Sequence, residues 1–452
     1  MALFVLKVCG CTMEDKTSWI DLKQPFTATL TGQTCDVMRL SNQGFSIQVG
    51  SPLSPKPQSD WLLEWEKDGE KWSFSGTLVR EKNSPENTYL LFTRNKERLH
   101  ELLAKVRKNQ HIDICTQVDV ESTDKFTGFS RFQLTPKSIP ELDFTDIDPS
   151  CLFLGQHFKL PLLITGMTGG VDKGSLINAR LAAIAQKHQI PMGIGSQRIA
   201  IENKNYEDIF QLKKTFPSLY LIGNLGFSQV LGSGGLETCL KAVEMISADA
   251  LAIHVNLLQE SIQAEGDRAF SGFFASCAKI CAALPVPLII KEVGAGMDIH
   301  SAQRLQEIGV AAIDCGGRGG TSWGYIEGLR SQNTLSRSLA SQFRDWGIPT
   351  AFSLGKLQQE GITLPLIATG GVRDGVTIAK ACALGAQMVG IGLPFFKAAL
   401  QSEERLEEFV ADLEQALKIA MLATGSRTIS ELHGKVSWGH PYERDCEKIW
   451  SP

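Results

Sequence analysis

Ala252-Ile-His-Val-Asn-Leu-Leu-Gln-Glu260 is the point from which the chain is most easily read. An apolar run beginning at Ala250 stops abruptly at four polar side chains, His254, Asn256, Gln259 and Glu260. A period of two puts His254 and Asn256 on one face of a strand end. Gln259 and Glu260 are then expected in the loop that follows. Taken alone, the stretch is equally a buried strand with an ordinary polar turn. What separates the two readings is whether other strands end the same way.

They do. From Leu160 onward, short apolar runs alternate with amphipathic stretches. The expected strands are Leu160–Thr165, Met192–Gly195, Leu219–Gly223, Ala250–His254, Leu288–Lys291, Ala311–Asp314, Leu364–Thr369 and Met388–Ile391. Between them lie expected helices such as Leu176–His188, Glu237–Ser247, Phe273–Leu284, Ser301–Ile308 and Thr377–Leu384. Continuous apolar strands suit a parallel sheet covered on both faces. Eight evenly spaced units favour closure into an α/β (β/α)8 TIM barrel over an open doubly wound sheet.

In such a barrel the chemistry sits on the C-terminal face. The strand ends here read Gly166-Met167-Thr168-Gly169-Gly170, Gly195-Ser196-Gln197-Arg198, Asn224, the His254 cluster, Lys291-Glu292, Asp314, Gly370-Gly371-Val372-Arg373 and Gly392-Leu393-Pro394. Glycines after the seventh and eighth strands let backbone N–H groups approach an anion, and barrels often hold phosphate there. Lys291 ends a strand whose other residues are Leu and Ile, so its charge needs a partner or a ligand. The structural alternative is an ion pair with Glu260 or Glu292. In a flavin barrel such a lysine faces the N1–C2=O edge of the ring. Thr168, Ser196, Asn224 and Thr321 would suit the ring's hydrogen-bonding edges.

Composition narrows the rest. The chain has 452 residues, 43% hydrophobic and 21% charged, with a net charge of −4. That is an ordinary globular mixture without a nucleic-acid footprint. No apolar run is long enough to span a bilayer, and Met1–Val8 is too short and too interrupted for a signal peptide. The 11 cysteines form no framework, although Cys9 and Cys11 flank one glycine and Cys277 and Cys281 fall one helical turn apart. Scattered thiols without an export signal point to the cytoplasm.

Residues 1–100 have a different texture. Phe26–Leu30, Gly44–Val49, Trp61–Glu66, Trp72–Val79 and Thr88–Phe92 read as strands, punctuated by Pro, Ser, Asn and Gly. A small mostly-β N-terminal domain, barrel or sandwich, is expected. Glu97–Lys108 follows as a helix with Leu99, Leu102, Leu103 and Val106 on one face. The Leu40–Ile47 and Ser75–Val79 segments faintly resemble a PilZ domain. PilZ domains that bind cyclic di-GMP carry an upstream arginine pair, which is absent between Lys23 and Leu40. The resemblance therefore implies a degenerate form, structural or partner-binding.

The strings Met167-Thr168-Gly169-Gly170, Gly195-Ser196-Gln197-Arg198, His254-Val255-Asn256 with Gln259-Glu260, Lys291-Glu292-Val293-Gly294, Gly319-Gly320-Thr321-Ser322-Trp323 and Ala368–Arg373 together resemble type 2 isopentenyl diphosphate isomerase. The likeness begins at Arg107-Lys108-x-x-His111-Ile112 and Thr127-Gly128-Phe129, and runs on to Leu417–Met421 and Thr424-Gly425. It implies an FMN- and Mg2+-dependent enzyme that interconverts isopentenyl and dimethylallyl diphosphate without net redox change. NADPH would keep the flavin reduced. By the resemblance, Gly166, Met167, Thr168, Ser196, Asn224, Lys291, Thr321, Gly371, Val372, Arg373, Gly392 and Leu393 would hold FMN. Arg107, Lys108, Arg198, His254 and Asn256 would hold the substrate diphosphate. Gln259 would lie against the carbon skeleton and Glu260 would ligate Mg2+, with Gln259, Glu260 and Lys291 as the catalytic set. Trp323 offers either a π face to a developing cation or plain packing. The partner is a small prenyl diphosphate, and a homo-oligomer, tetramer or octamer, is implied.

Two departures stand out. Residues 1–100 are additional to the family. Leu393 replaces an arginine common at its position, leaving phosphate contacts there to backbone. The organisation expected is thus a β-domain over 1–100, a substrate-binding segment over 101–159, an FMN-binding barrel over 160–440 and a tail over 441–452. Two other functions stay open: an FMN-dependent 2-hydroxy-acid oxidoreductase, and an inactive barrel whose N-terminal domain binds a partner. The first needs a histidine base with carboxylate-binding arginines, and no His-Gly pair follows the sixth or seventh strand.

Overall fold

The computed structural model describes residues 20–31, 33–41, 43–50, 61–67, 70–80, 87–167, 172–263, 266–331 and 333–439. Met1–Val8, Cys9, Cys11, Thr168 and the 441–452 tail lie outside them. Six antiparallel strands come first: β1 (Ile20–Leu30), β2 (Gln33–Leu40), β3 (Gly44–Val49), β4 (Trp61–Lys67), β5 (Glu70–Arg80) and β6 (Thr88–Thr93). They close into a barrel in the order β1-β2-β3-β6-β5-β4. Along β5 burial alternates, with Trp72, Phe74 and Leu78 inside and Lys71, Ser73 and Ser75 outside. The rings of Trp65, Trp72 and Phe74 stack on one another at 5.6 to 6.2 Å. β2 is absent from the strands read in the sequence. A bulge between Val37 and Arg39 breaks its period-two pattern.

Helix α1 (Lys96–Gln117) follows, capped by the Asn95 side chain on Arg98 N–H. It runs past the expected end at Lys108. Leu99 and Leu102 bury in the small barrel, whereas Ile112, Ile114 and Cys115 bury in the second, larger core.

That second core surrounds eight parallel strands in a closed barrel: β7 (Leu162–Ile164), β8 (Met192–Gly193), β9 (Leu221–Gly226), β10 (Ala250–Val255), β11 (Leu288–Glu292), β12 (Ala312–Asp314), β13 (Leu366–Thr369) and β14 (Met388–Ile391). The strands at Leu162, Met192, Leu288 and Leu366 each start directly after a proline. Proline has no N–H for the ladder but keeps its carbonyl. Pro161, Pro191, Pro287 and Pro365 accordingly accept from Val389, Ile164, Leu251 and Ile313 N–H. The strands expected from Leu160 and Leu364 therefore begin two residues later, at Leu162 and Leu366. Inside the barrel, Leu163, Ile222, Ala252, Ile289, Ile367 and Met388 pack with Phe153 and Phe158 of a small hairpin. Phe158 meets Tyr220 edge-on just before β9, so the hairpin closes the N-terminal end. A cleft opens at the C-terminal end. Among the described residues no helix is long and apolar enough to cross a membrane.

Candidate active site

The strand ends surround one cleft of about 1580 Å³, counting its open mouth. Arg107, Lys108, Gly166, Met167, Ser196, Arg198, Asn224, His254, Asn256, Gln259, Glu260, Lys291, Thr321, Gly371, Arg373, Gly392 and Leu393 all line it. Val372 does not: it is 1% exposed and belongs to the large core. In the turn Gly370–Arg373 its neighbours face the cleft and it anchors them from behind.

Strand register builds the first cluster. Gly226 pairs with His254, His254 with Lys291, and Lys291 with Asp314, so three ionisable side chains stand abreast on β10, β11 and β12. Lys291 Nζ lies 3.8 Å from Asp314 Oδ2, both side chains nearly buried. The lysine's ion pair is thus with neither the Glu260 nor the Glu292 carboxylate; from Glu292 it takes only the backbone carbonyl, to which Nζ donates at 3.4 Å. Glu292 turns back on its own loop, where one carboxylate oxygen accepts from the N–H groups of Val293, Gly294, Ala295 and Gly296. Burial raises the Asp314 carboxyl, opposed by Lys291 and by Thr369 Oγ1. Asn224 Nδ2 donates to Ile194 O, which leaves its Oδ1 to accept from His254 Nδ1 at 2.7 Å. Burial, reinforced by the nearby Lys291 charge, pushes the His254 ring down to about 3. It is neutral and a poor base.

The second cluster corrects an expectation. Gln259 and Glu260 are not in a loop; they sit in helix Leu257–Ile262, which starts at Asn256. Asn256 Nδ2 donates to Gln259 Oε1 at 2.9 Å and Glu260 Oε1 at 3.0 Å. Gln259 Nε2 donates to Glu327 Oε1 at 2.9 Å. Glu327 is 2% exposed, in helix Trp323–Arg330, and also holds His111 Nε2 at 2.9 Å and the Arg330 guanidinium. Burial alone would raise this carboxyl, but Arg330, His111 and Gln259 together hold it well below the usual carboxylate range. His111 is lowered by burial, so a neutral ring donates its Nε2–H to Glu327.

Glu327 was missed in the sequence because it stands inside a helix, away from any strand end. Its spacing would have found it. It lies four residues after Trp323, on the same helical face. Trp323 itself lines the cleft and packs edge-on against His111.

The third cluster is backbone. Gly370 and Gly371 have φ of +108° and +78°, the region L side chains avoid. A Cβ on Gly371 would stand 2.3 Å from Thr127 Cγ2 and 2.5 Å from Gly319 O. Gly371→Ala should therefore lower the unfolding free energy by about 1–3 kcal/mol. Denaturant titration measures it, and an unchanged midpoint would contradict the packing described. Gly392, on the cleft wall with Leu393, precedes helix Leu393–Gln401, whose first N–H groups have no intrahelical partner. Arg373 pairs with Glu121, and burial brings its guanidinium down to about 10.

Arg107 and Lys108 reach the cleft from α1. Lys108 Nζ donates to Ser196 O at 3.4 Å and lies 5.6 Å from the Phe210 ring. Burial, then the adjacent Arg107 charge, lowers its ammonium to about 7. Arg198 pairs with Glu202 at the rim, 2.7 Å away.

Residues 241–438 match the family model described as FMN-dependent dehydrogenase. The chain is 42% identical to the isopentenyl-diphosphate delta-isomerase of Nostoc sp., covering 72% of this chain and 93% of that one. It is also 42% identical to the isopentenyl-diphosphate delta-isomerase of Pyrococcus furiosus, over 72% of this chain and 84% of that one. A solved structure of mandelate oxidase with benzoyl-formic acid superposes with a TM-score of 0.51 at 17% identity, covering 75% of this chain and 98% of that chain. Identity that low speaks for a shared fold only.

Proposed function

The chain belongs to the isopentenyl-diphosphate delta-isomerase family, in its FMN-dependent type 2 form, and from that premise we propose how its residues divide the work. The enzyme interconverts isopentenyl and dimethylallyl diphosphate and uses FMN. The observation that carries the residue assignment is the hydrogen-bonded chain Asn256–Gln259–Glu327–His111, of which Asn256, Gln259 and His111 line the cleft that Lys291 and the Gly370–Gly371 turn also edge.

The residues present fit a flavin nucleotide. Thr165 Oγ1, at the end of β7, is buried without a partner. The Gly371 turn has room for backbone but not for a Cβ. In our proposal Gly166, Met167, Thr168, Ser196, Asn224, Lys291, Thr321, Gly371, Arg373, Gly392 and Leu393 hold FMN. Val372 contributes by shaping the turn. When bound and reduced, FMN supplies an electron-rich ring able to exchange protons and to stabilise a tertiary carbocation beside it.

Arg107, Lys108 and Arg198 supply positive charge to the substrate diphosphate, with His254 and Asn256 as neutral hydrogen-bonding partners. Gln259 orients the carbon skeleton, fixed from behind by Glu327 and Asn256. Trp323 adds a π face for developing positive charge. Glu260 ligates Mg2+. Among the described residues no group of three acidic, histidine or cysteine side chains could hold a metal. One carboxylate plus diphosphate oxygens is an arrangement Mg2+ accepts. The same proposal has NADPH as reductant and a homo-oligomer, tetramer or octamer, in the cytoplasm. A hydroxy-acid oxidoreductase would need a histidine base near neutral pH, and His254 at about 3 does not supply one.

Lys108 makes a pH prediction. In the free enzyme its ammonium titrates at about 7. It is charged below that value and neutral above it, so diphosphate binding weakens as pH rises through 7. The kcat/KM profile should fall there, and Lys108→Arg should remove the fall. A profile flat from pH 6 to 8 would contradict the role. The function as a whole is tested by anaerobic incubation with FMN, NADPH, Mg2+ and isopentenyl diphosphate. Dimethylallyl diphosphate should form, and should not form with oxidised flavin or after EDTA. Product made equally well with oxidised flavin would overturn the proposal.

A further inference from the structure

α1 is shared by two cores. Leu99 and Leu102 are held in the six-stranded barrel, and Ile112 and Cys115 in the large one. The residues between them include Arg107 and Lys108, on the wall of the cleft. A continuous helix transmits displacement along its axis and rotation about it, at 1.5 Å and 100° per residue. Whatever seats the first half of α1 therefore sets where these two cations stand.

The seating is specific. Arg98 donates to Lys71 O at 2.6 Å and lies over the Trp72 ring at 4.8 Å, which ties the first turn of α1 to β5. Two turns on, the Lys105 ammonium lies between two aromatic faces. It is 5.3 Å from the Trp72 ring centre and 5.0 Å from that of Tyr206. A cation held between two rings gains from both quadrupoles. Tyr206 is 5% exposed and belongs to the segment after β8, and its hydroxyl donates to Glu101 on α1. The two ends of that segment, Ser196 O and the Phe210 ring, contact Lys108. Glu101, Lys105 and Lys108 recur at helical spacing on one face. The small barrel, α1 and the 196–210 segment are thus joined at Lys105, one turn before the cleft.

We propose that the six-stranded barrel is a positioning module for diphosphate binding, and that Lys105, clamped between Trp72 of the barrel and Tyr206 of the large domain, is the positioning residue that presents Arg107 and Lys108 to the substrate. This rests on the reading that those two residues bind the diphosphate. The physical need is clear. Two adjacent cations, both half-buried, repel each other until the anion arrives. A rigid mount removes the ordering cost that a mobile strand would bring to binding. Lys105 does not line the cleft; it acts through Lys108.

The test uses the full-length, FMN-loaded enzyme. Lys105→Met keeps the length of the side chain and removes its charge, and Tyr206→Phe keeps the ring and removes the bond to Glu101. Each should raise KM for isopentenyl diphosphate about tenfold, with kcat within twofold and FMN affinity unchanged. Inorganic pyrophosphate, titrated calorimetrically, should weaken in the same proportion. Lys105→Arg should restore both values, because a guanidinium keeps the cation between the rings. A folded Lys105→Met enzyme with wild-type KM and wild-type pyrophosphate affinity overturns the proposal. Lys108→Ala separates it from the reading beneath it. If Lys108→Ala weakens pyrophosphate and Lys105→Met does not, only the positioning role falls. If Lys108→Ala also binds normally, the diphosphate assignment falls with it.

Discussion

Gln259→Ala should reduce turnover of the reduced holoenzyme by about a hundredfold to ten-thousandfold, the usual span for a positioned group at a proton transfer. The protein should meanwhile keep its flavin. The amide is held at both ends, accepting from Asn256 Nδ2 and donating to Glu327 Oε1. Alanine removes the group that sets the angle of the substrate's carbon skeleton and opens space for water beside a developing cation. The fold should tolerate the change. Asn256 keeps its bond to Glu260, and Glu327 keeps His111 and Arg330. FMN retention follows from geometry, because the Gly370–Gly371 turn follows β13 and Lys291 lies in β11, both outside helix Leu257–Ile262. Flavin absorbance per protein and anaerobic turnover measure the two halves. Turnover within tenfold of wild type would remove Gln259 from the machinery.

Glu327→Ala should act mainly on stability, by about 3–5 kcal/mol, because breaking a buried ion pair leaves its partner charged and desolvated. The Arg330 side chain is 5% exposed and His111 is 17% exposed, so neither gains much water in compensation. The carboxylate is ionised across the working range, held low by those same partners. Its removal also frees Gln259 and His111, so activity should fall in whatever fraction folds. Glu327→Gln should be milder, since an amide oxygen still accepts one of the bonds. Denaturant unfolding of the three proteins gives the comparison. A loss below about 1 kcal/mol in Glu327→Ala would show that the remaining partners of Arg330, Gln110 Oε1 among them, suffice to hold its charge.

The large barrel was legible because its eight strands are largely apolar and each runs into glycine or a polar group at or just past its end. Those two properties follow from parallel strands buried on both faces, and they survive without knowledge of any neighbour. The partners of site residues were less legible. Lys291 meets Asp314 because β11 and β12 align in that register, and register between strands separated by a helix is not written locally. Glu292, adjacent in sequence, is instead occupied by its own loop. Glu327 reaches the cleft from mid-helix, outside the strand-end rule that found its neighbours. Gln259 and Glu260 were placed in a loop because six residues are too few to show helical periodicity. β2 escaped through its bulge, and the second half of α1 because its apolar face turns towards a different core after Val106. Residues chosen for their chemistry were found together; the hydrogen-bond partners that restrain them came only with three dimensions.

Proton NMR of the anaerobic, FMN-reduced, Mg2+-loaded enzyme with isopentenyl diphosphate in deuterated water follows the proposed proton transfers. Dimethylallyl methyl signals should grow at the expense of the terminal alkene signals, with deuterium from solvent entering the new methyl group. Isopentenyl diphosphate left unchanged by an enzyme whose flavin is demonstrably bound and reduced would contradict the proposed transfers.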